Sequence, residues 1–526
     1  MLCRLAFVIA TCLGVRAAEP ALHVDVCVYG ATASGVAAAL AASQEGRSVV
    51  VIEPSRWLGG MTGGGIRQID WGKPGTIGGL ARTIFADGKD DPYYRTLFVD
   101  LLRRADVPVL YEHRIGRVIR DGTRITTLVC DYAPPDRYGT PPANPTTPGA
   151  RTVTPQVVID ASYEGDVLAL AGVSYTYGRE SRSAYGETLA GVRPALAVYD
   201  IDPYIRPGDP SSGLLPTVQD MSAAAEGDAD HLTMAYCFRW KVSEAADRLP
   251  FGEPEHYDPA WYEVLRRGFA NHIDMGKGRR MRRLDEYESE NGSFFSNNSS
   301  RALIALSVAG SNRDYPNGDW ATRSRIWAFH REYTRGVMHF LKTDPVVPAA
   351  LRERAQRSGL QRGLFDETDG WPHQLYVREA RRLLGDYVLT QHDLAGATAP
   401  HDAIALGSYG VDDWPYATVA RAGKVVVQGG EFSILRLSGP HDGVYRIPYR
   451  CLTPRAQECS NLLVPVCLSA SHIAMTSTRM KPVWTITGES AGVAAALACA
   501  HATSVQTVPY AALRARLLAR GQKLDP

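Results

Sequence analysis

The segment that most constrains the fold lies near the start of the chain and follows the order strand, glycine turn, helix, strand. The β-rich run 25–29 ends at Gly30, and residues 36–42 are mostly strong helix formers. The apolar run 48–52 then closes with Glu53. This order is typical of one half of a dinucleotide-binding domain. It predicts an α/β fold with a Rossmann-like domain built on a parallel sheet.

The turn between the first strand and the helix predicts a phosphate site. Glycine permits the tight turn, and the N–H groups at the start of the helix would face a pyrophosphate. Glu53, 18 residues after the last glycine of the turn, is placed to bond the ribose hydroxyls of an adenosine without a 2′-phosphate. Thr32 stands where the motif has its middle glycine, and a βαβ unit without a nucleotide is the alternative. The residues expected at this site are Gly30, Ala33, Ser34, Gly35 and Glu53.

A glycine-rich stretch soon after Glu53 favours a flavin over a nicotinamide. Five of the seven residues 59–65 are glycine, so the stretch forms neither a helix nor a central strand. Its neighbours Leu58 and Ile66 are apolar, whereas a flexible linker would carry serine and charge. We expect this backbone to lie against a flat ligand. The expected contacts are Gly59, Gly60, Met61 and Thr62.

Several later blocks follow in an order that resembles a known family. Together with the first segment they resemble the FAD-dependent oxidoreductases of bacterial secreted and periplasmic proteins, which are distantly similar to fumarate-reductase-type flavoproteins. The blocks span nearly the whole chain, and the pattern fades only over residues 279–300. The resemblance implies FAD as the cofactor and a small molecule as the substrate. The later blocks are residues 158–166, 374–382, 461–466, 469–472, 479–480 and 488–492.

The resemblance, together with the strand patterns, predicts a discontinuous FAD-binding domain. Residues 22–194 and 431–526 would form it, and residues 195–430 would be inserted as an α+β substrate domain. Short β-rich runs before residue 130 indicate a β-meander that returns to the main sheet. An Ala-rich helix over residues 488–500 would point its N-terminus at the flavin. Further cofactor contacts are expected at Val118, Ala161, Ser162 and Gly488.

Three residues are the candidates for catalysis. His472 lies between an apolar strand and the C-terminal helix, and imidazole titrates in the useful range for an acid–base group. Arg378 and Arg382 are one turn apart on a predicted helix, and one arginine of this block would reach a substrate carboxylate or the flavin. A salt-bridged, solvent-exposed helix face is the alternative for this block. Arg479, just before the last long helix, is an equal candidate.

Charge and cysteine usage exclude other classes of protein. The chain has 57 basic and 56 acidic residues without a block of like charges, so we expect no nucleic-acid partner. The nine cysteines form no C-x-x-C pair, which argues against zinc and iron–sulfur sites, so we predict no metal. Only Cys451 and Cys459, eight residues apart, are candidates for a disulfide bond.

The first 18 residues predict export. A basic residue, Arg4, precedes the apolar run 5–15, and small residues follow at the positions of a cleavage site. This signal peptide is too short to span a bilayer, and no other run of 18 uncharged apolar residues predicts a transmembrane segment. The expected location is secreted or periplasmic. The sequence shows no second dinucleotide-binding unit, so we expect no separate site for a pyridine nucleotide. The electron acceptor is then oxygen, a quinone, a carrier protein or the substrate itself, and the sequence does not distinguish among them.

Three functions follow from the sequence. The first is an FAD-dependent oxidoreductase that transfers a hydride between flavin and a substrate C–H bond, in a sugar or another hydroxylated compound. The second is a redox-neutral flavoenzyme in which oxidation, elimination and reduction follow one another. The third is a non-catalytic binding protein that retains the fold.

Overall fold

The structure is a computed structural model of the full chain. It describes residues 20–66, 69–86, 88–220, 225–274, 293–295, 303–430, 435, 437 and 439–526. The predicted signal peptide, residues 1–18, lies outside the described residues, as does most of the segment 279–300.

Strands and helices alternate along the chain. The strands are β1 (Leu22–Tyr29), β2 (Val49–Glu53), β3 (Val109–Tyr111), β4 (His113–Asp121), β5 (Arg124–Tyr132), β6 (Thr147–Asp160), β7 (Tyr175–Thr176), β8 (Ala195–Tyr199), β9 (Lys241–Ser243), β10 (Ser293–Phe295), β11 (Gly359–Leu360), β12 (Arg382–Leu383), β13 (Ala403–Gly407), β14 (Pro415–Arg421), β15 (Lys424–Gly429), β16 (Tyr445–Pro448) and β17 (Leu462–Leu463). The α-helices are α1 (Ala33–Gln44), α2 (Gly79–Ile84), α3 (Asp91–Arg104), α4 (Asp166–Leu170), α5 (Arg182–Tyr185), α6 (Glu263–Ala270), α7 (Trp320–Thr343), α8 (Ala349–Arg357), α9 (Gln391–Leu394), α10 (His472–Thr478), α11 (Lys481–His501) and α12 (Tyr510–Ala519).

The main sheet confirms the predicted Rossmann-like α/β class. Its strand order is β3-β2-β1-β6-β5-β4, and β17 also pairs with β6. β1 runs parallel to β2 and to β6, and its last residue, Tyr29, is in register with Ile52 and Asp160. The carboxyl ends of these three strands therefore meet at one edge, where open α/β sheets bind their ligands.

β6 is longer than its amino-acid composition indicates. The Pro/Gly/Thr-rich residues 134–155 have the composition of a connection between strands, yet β6 already begins at Thr147. The reason is pairing with β5, in which Cys130 is opposite Arg151 and Tyr132 opposite Thr147. Cross-strand hydrogen bonds thus hold residues of low strand propensity in the sheet.

The helix α11 forms the centre of the core together with α1. A Cβ atom on Gly488 would lie 2.1 Å from the carbonyl oxygen of Ser34, and one on Gly492 would lie 2.2 Å from that of Ala38. Glycine is needed because the two helices approach so closely. The helix begins at Lys481, seven residues before the predicted start, so Gly488 lies in the helix interior and packs against α1. The expectation that Gly488 opens the helix at the flavin was wrong.

The second wrong prediction concerns the arginine-rich block 374–382. No helix forms there, and Arg382 belongs to the short strand β12. Backbone bonds to distant segments replace helical ones, since the N–H of Tyr376 donates to the carbonyl oxygen of Cys237 at 2.9 Å. Arg378 and Arg382 are fully buried, so the block is not a solvent-exposed face either.

Two further predictions concern the division into domains and the segments that could span a membrane. The division into residues 22–194, 195–430 and 431–526 stays a prediction, although β8, β15 and β14 form a separate sheet. In the part of the chain that the structure describes, α11 has the length and apolar composition of a membrane span. Most of it is buried inside the protein, as is typical of a core helix.

Candidate cofactor and active site

A cavity of about 80 Å³ opens at the carboxyl ends of β1, β2 and β6. The aromatic side chains of Tyr315, Trp320 and Trp327 also line it. Four of the predicted cofactor residues line it, namely Gly30, Glu53, Gly60 and Ser162.

The turn after β1 has the geometry that its glycines predict. Gly30 has φ +88°, and a Cβ atom there would lie 2.9 Å from the backbone nitrogen of Ser162. Thr32, in the place of the middle glycine, caps α1: its hydroxyl accepts from the N–H of Gly35 at 3.2 Å. The same hydroxyl donates to the carbonyl oxygen of Ala161 at 2.9 Å. Thr32 therefore joins α1 to the end of β6.

Glu53 is held by backbone N–H groups at the edge of the cavity. One carboxylate oxygen accepts from Ala31 at 2.6 Å and the other from Ser55 at 2.8 Å. Burial raises the pKa of this carboxyl, and the two bonds oppose the shift. Because a carboxylate accepts about four hydrogen bonds, capacity remains for ribose hydroxyls.

The glycine-rich stretch, residues 59–65, forms a tight loop next to the cavity. The N–H of Met61 donates to the hydroxyl of Tyr163 at 3.0 Å. Thr62 is buried, and its hydroxyl has no hydrogen-bond partner among the described residues. A buried hydroxyl without a partner fits a site that a polar ligand completes. A Cβ atom on Gly64 would lie 2.4 Å from Gln374, so the loop lies directly against the block 374–382.

The other predicted cofactor residues lie at different distances from the cavity. Ala33 and Ser34 form the first turn of α1, but the Ser34 hydroxyl is directed at α11, 2.6 Å from the Cβ position of Gly488. Val118 pairs with Leu128 in the β-meander and does not line the cavity. Their roles toward the cofactor stay predictions.

Three arginines converge on the ring of Tyr376, and we call Arg239, Arg378 and Arg479 the arginine cluster. The guanidinium carbons of Arg239 and Arg378 lie 4.8 Å and 4.3 Å from the ring centroid. The Nη1 of Arg479 donates to the Tyr376 hydroxyl at 2.9 Å. The structure thus brings together the predicted residues Arg378 and Arg479.

The two predicted arginines differ in their charge partners. Arg479 forms an ion pair with Asp412 at 2.9 Å; burial lowers its pKa, but Tyr376 and Asp412 outweigh burial and raise it. Arg378 has no carboxylate within ion-pair distance among the described residues. It donates to the carbonyl oxygen of Ala235, and burial lowers its pKa, helped by the neighbouring arginines.

Lys481 is a candidate that the sequence analysis missed. It begins α11, is buried, and donates from Nζ to the carbonyl oxygen of Ile66, directly after the glycine loop. Burial lowers its pKa to about 8, and the carboxylates of Asp70 and Asp91 oppose the shift. The Lys-Pro pair at residues 481–482 is a signal for a helix start that could have located it.

His472 lies at the start of α10 and is fully buried. Its Nε2 accepts from the N–H of Gly191 at 3.1 Å, and its own backbone N–H donates to Glu180 at 2.9 Å. Burial lowers the pKa of the imidazole to about 3, so it is neutral. The lone pair of Nε2, which a catalytic base would need, already accepts the hydrogen bond from the N–H of Gly191. Its catalytic role stays a prediction, and these contacts favour a positioning role.

The described cysteines are all free thiols, Cys451 and Cys459 among them. The candidate disulfide bond between these two is therefore not formed. Within the described ranges, no group of three or more His, Cys, Asp or Glu residues is arranged to hold a metal ion.

Comparison with known proteins identifies the family. The model of the family described as FAD dependent oxidoreductase matches residues 25–517. A search among curated proteins finds no match.

Three solved structures each match a part of the chain. T. acidophilum thioredoxin reductase is 16% identical over 26% of this chain and 34% of its own, with a TM-score of 0.18. OxyS anhydrotetracycline hydroxylase from Streptomyces rimosus is 14% identical over 31% of this chain and 38% of its own, with a TM-score of 0.20. A flavoprotein/dehydrogenase from Cytophaga hutchinsonii is 16% identical over 30% of this chain and 44% of its own, also with a TM-score of 0.20. The chain thus spans less than half the length of these structures.

Proposed function

The chain belongs to the FAD-dependent oxidoreductase family, and from this premise we propose that it transfers a hydride between FAD and a C–H bond of a hydroxylated small molecule. FAD is its cofactor and, when bound, supplies a two-electron carrier. The residues of the cavity fit this cofactor. Glu53 would hold the adenosine ribose, the first turn of α1 the pyrophosphate, and the glycine loop with the free Thr62 hydroxyl the flavin end.

The observation that carries the proposal is the collection of cations beside the glycine loop. The arginine cluster surrounds Tyr376. Lys481 donates a hydrogen bond to the carbonyl oxygen of Ile66, the residue directly after the glycine loop. Hydride transfer places negative charge on its acceptor, and fixed cations in a site without water stabilise such charge strongly. Three buried guanidinium groups around one ring would serve this purpose.

Lys481 is our candidate for the group that takes the substrate hydroxyl proton. With a pKa of about 8, a substantial fraction of its side chain is the neutral amine at pH 8. A base with a pKa near the working pH is the most effective, and a positioned base contributes about 10²–10⁴ in rate. Arg378 and Arg479 would orient the substrate, and His472 would hold the backbone at Gly191.

The resemblance also supports a sugar or related compound as the substrate and a secreted or periplasmic location. The electron acceptor would be oxygen, a quinone or a carrier protein. A redox-neutral reaction on the same site is the second candidate function, because the arginine cluster would stabilise charge in either case. The two differ in whether electrons leave the enzyme.

An anaerobic screen tests the proposal. Substrates that bleach the flavin absorbance identify an oxidation, and reduction of an external dye shows net electron release. Lys481→Met should slow bleaching per bound FAD by at least about 100-fold. Lys424→Met, at a half-exposed lysine on β15, is the matched control and should leave the rate unchanged. Product without dye reduction would favour the redox-neutral reaction, and folded protein that binds no FAD would refute both.

A further inference from the structure

The charge of the cofactor cavity is unusual for a site that receives a diphosphate. Among the described residues that line it, none is Lys, Arg or His. Three carboxyl groups line it instead, those of Glu53, Glu164 and Asp166. Helix N-terminal N–H groups attract phosphate, but a nearby carboxylate repels it. The ionisation of these carboxyl groups therefore affects how tightly FAD binds.

Asp166 is neutralised by two arginines. The Nη1 of Arg323 lies 2.7 Å from one of its carboxylate oxygens, and the Nη1 of Arg381 lies 3.2 Å from the same oxygen. Burial raises the pKa of Asp166, but the two arginines outweigh burial and hold it below its usual value. Asp166 thus stays ionised with its charge balanced.

Glu164 has no arginine or lysine within ion-pair distance of its carboxylate among the residues that the structure describes. Its carboxylate accepts from the Tyr315 hydroxyl at 3.1 Å, and Arg381 reaches only its backbone oxygen, also at 3.1 Å. Burial raises the pKa of Glu164 to about 7, and the charge of Asp166 adds to the shift, while Arg323 and the Tyr315 bond oppose it. The titratable and charged groups around it are Tyr29 on β1, Asp160 on β6, Tyr163, Asp166, Tyr236, Tyr315, Arg323 on α7, Arg381 and Cys467.

We propose that Glu164 is a cofactor-binding residue that holds FAD as the neutral carboxylic acid and donates its O–H to the cofactor. A neutral acid is both a donor and an acceptor, whereas the carboxylate only accepts and would oppose the diphosphate. When Glu164 is ionised in the free protein, FAD binding takes up one proton from solvent. FAD affinity should therefore fall as the pH rises.

The dissociation constant of FAD as a function of pH tests this inference. Holoenzyme is diluted to equilibrium between pH 6 and pH 9, and free FAD is measured by its fluorescence. By linkage, Kd should rise about tenfold per pH unit above pH 7, until Glu164 also ionises in the complex. We expect an increase of at least about tenfold over the whole range.

Two variants test whether Glu164 causes the pH dependence of the FAD dissociation constant. Glu164→Gln keeps a donor and has no charge, so its Kd should change less than about twofold over this range. At pH 9 it should bind FAD more tightly than the wild type does. Glu379→Gln is the matched control, because burial raises the pKa of Glu379 to about 7 as well but its side chain does not line the cavity. This control should keep the pH slope of the wild type.

Proton uptake by the wild-type protein gives a test that needs no variant. Calorimetry of FAD binding at pH 8, in buffers of different ionisation enthalpy, should show uptake of about one proton per FAD. No uptake, a wild-type Kd that is independent of pH, or an unchanged slope in Glu164→Gln would overturn the inference. The result does not depend on the substrate, so it is separate from the test of the hydride transfer.

Discussion

Replacement of Glu53 by glutamine is the sharpest test of the cofactor site. The wild-type carboxylate accepts from the N–H of Ala31 and from that of Ser55. The amide that replaces it retains one acceptor oxygen and places an NH₂ group against the other N–H. The change preserves the size of the side chain, so its effects come from hydrogen bonding and charge.

In the protein without cofactor, the substitution weakens two hydrogen bonds. One buried backbone N–H is left unsatisfied, and the other loses a charged acceptor. Together these losses should lower the free energy of unfolding by roughly 2–4 kcal/mol. For the complex, the hydrogen bond from the ribose to a charged group is worth about 1.5–3 kcal/mol, so Kd should rise about 10- to 150-fold.

Urea denaturation of the protein without FAD measures the loss of stability, and FAD fluorescence titration at pH 8 measures the increase in Kd. Glu353→Gln, at an exposed position on α8, is the control for loss of a carboxylate and should change neither quantity. A Kd for Glu53→Gln within twofold of the wild type would show that Glu53 does not contact the ribose. Unchanged stability would show that its two backbone bonds contribute little.

Other predictions concern positions outside the cavity. His472→Ala should lower the free energy of unfolding by about 1–3 kcal/mol, because the Gly191 N–H loses its acceptor. Stopped-flow flavin reduction per bound FAD should then stay near wild type, and a loss of at least about 100-fold would instead assign His472 to proton transfer. Gly492→Val should cost about 1–3 kcal/mol or more in thermal unfolding, since its Cβ would meet the carbonyl oxygen of Ala38, whereas Gly75→Ala has open space and should not. Burial raises the pKa of Glu379 from 4.5 to about 7. Between these two pH values the folded protein therefore holds a proton on Glu379 that the unfolded protein has lost, and the free energy of unfolding falls as the pH rises through this range. Glu379→Gln should reduce that fall by up to about 3 kcal/mol, measured by urea midpoints at pH 5 and pH 8.

The sequence determined the first βαβ unit and the class of cofactor. The turn at Gly30, the acidic residue Glu53 and the glycine loop are features of short stretches, and backbone geometry constrains such stretches locally. The class of sheet followed as well, because a strand, a helix and a strand of these lengths require a parallel crossover. The structure confirms the βαβ unit and its parallel strands, and the family match confirms the class of cofactor.

Only the tertiary structure decided which charged groups meet. The arginine spacing of the block 374–382 resembles a helix face, but backbone bonds to Cys237 and Gly64 outweigh its local helix propensity. The pKa of Glu164 is raised because the fold buries its carboxyl group and places Asp166 beside it, and the pKa of Lys481 is lowered by the burial of the start of α11. Burial and contacts between residues far apart in the chain set the charge and protonation of a group, and neither is encoded in the spacing of nearby residues.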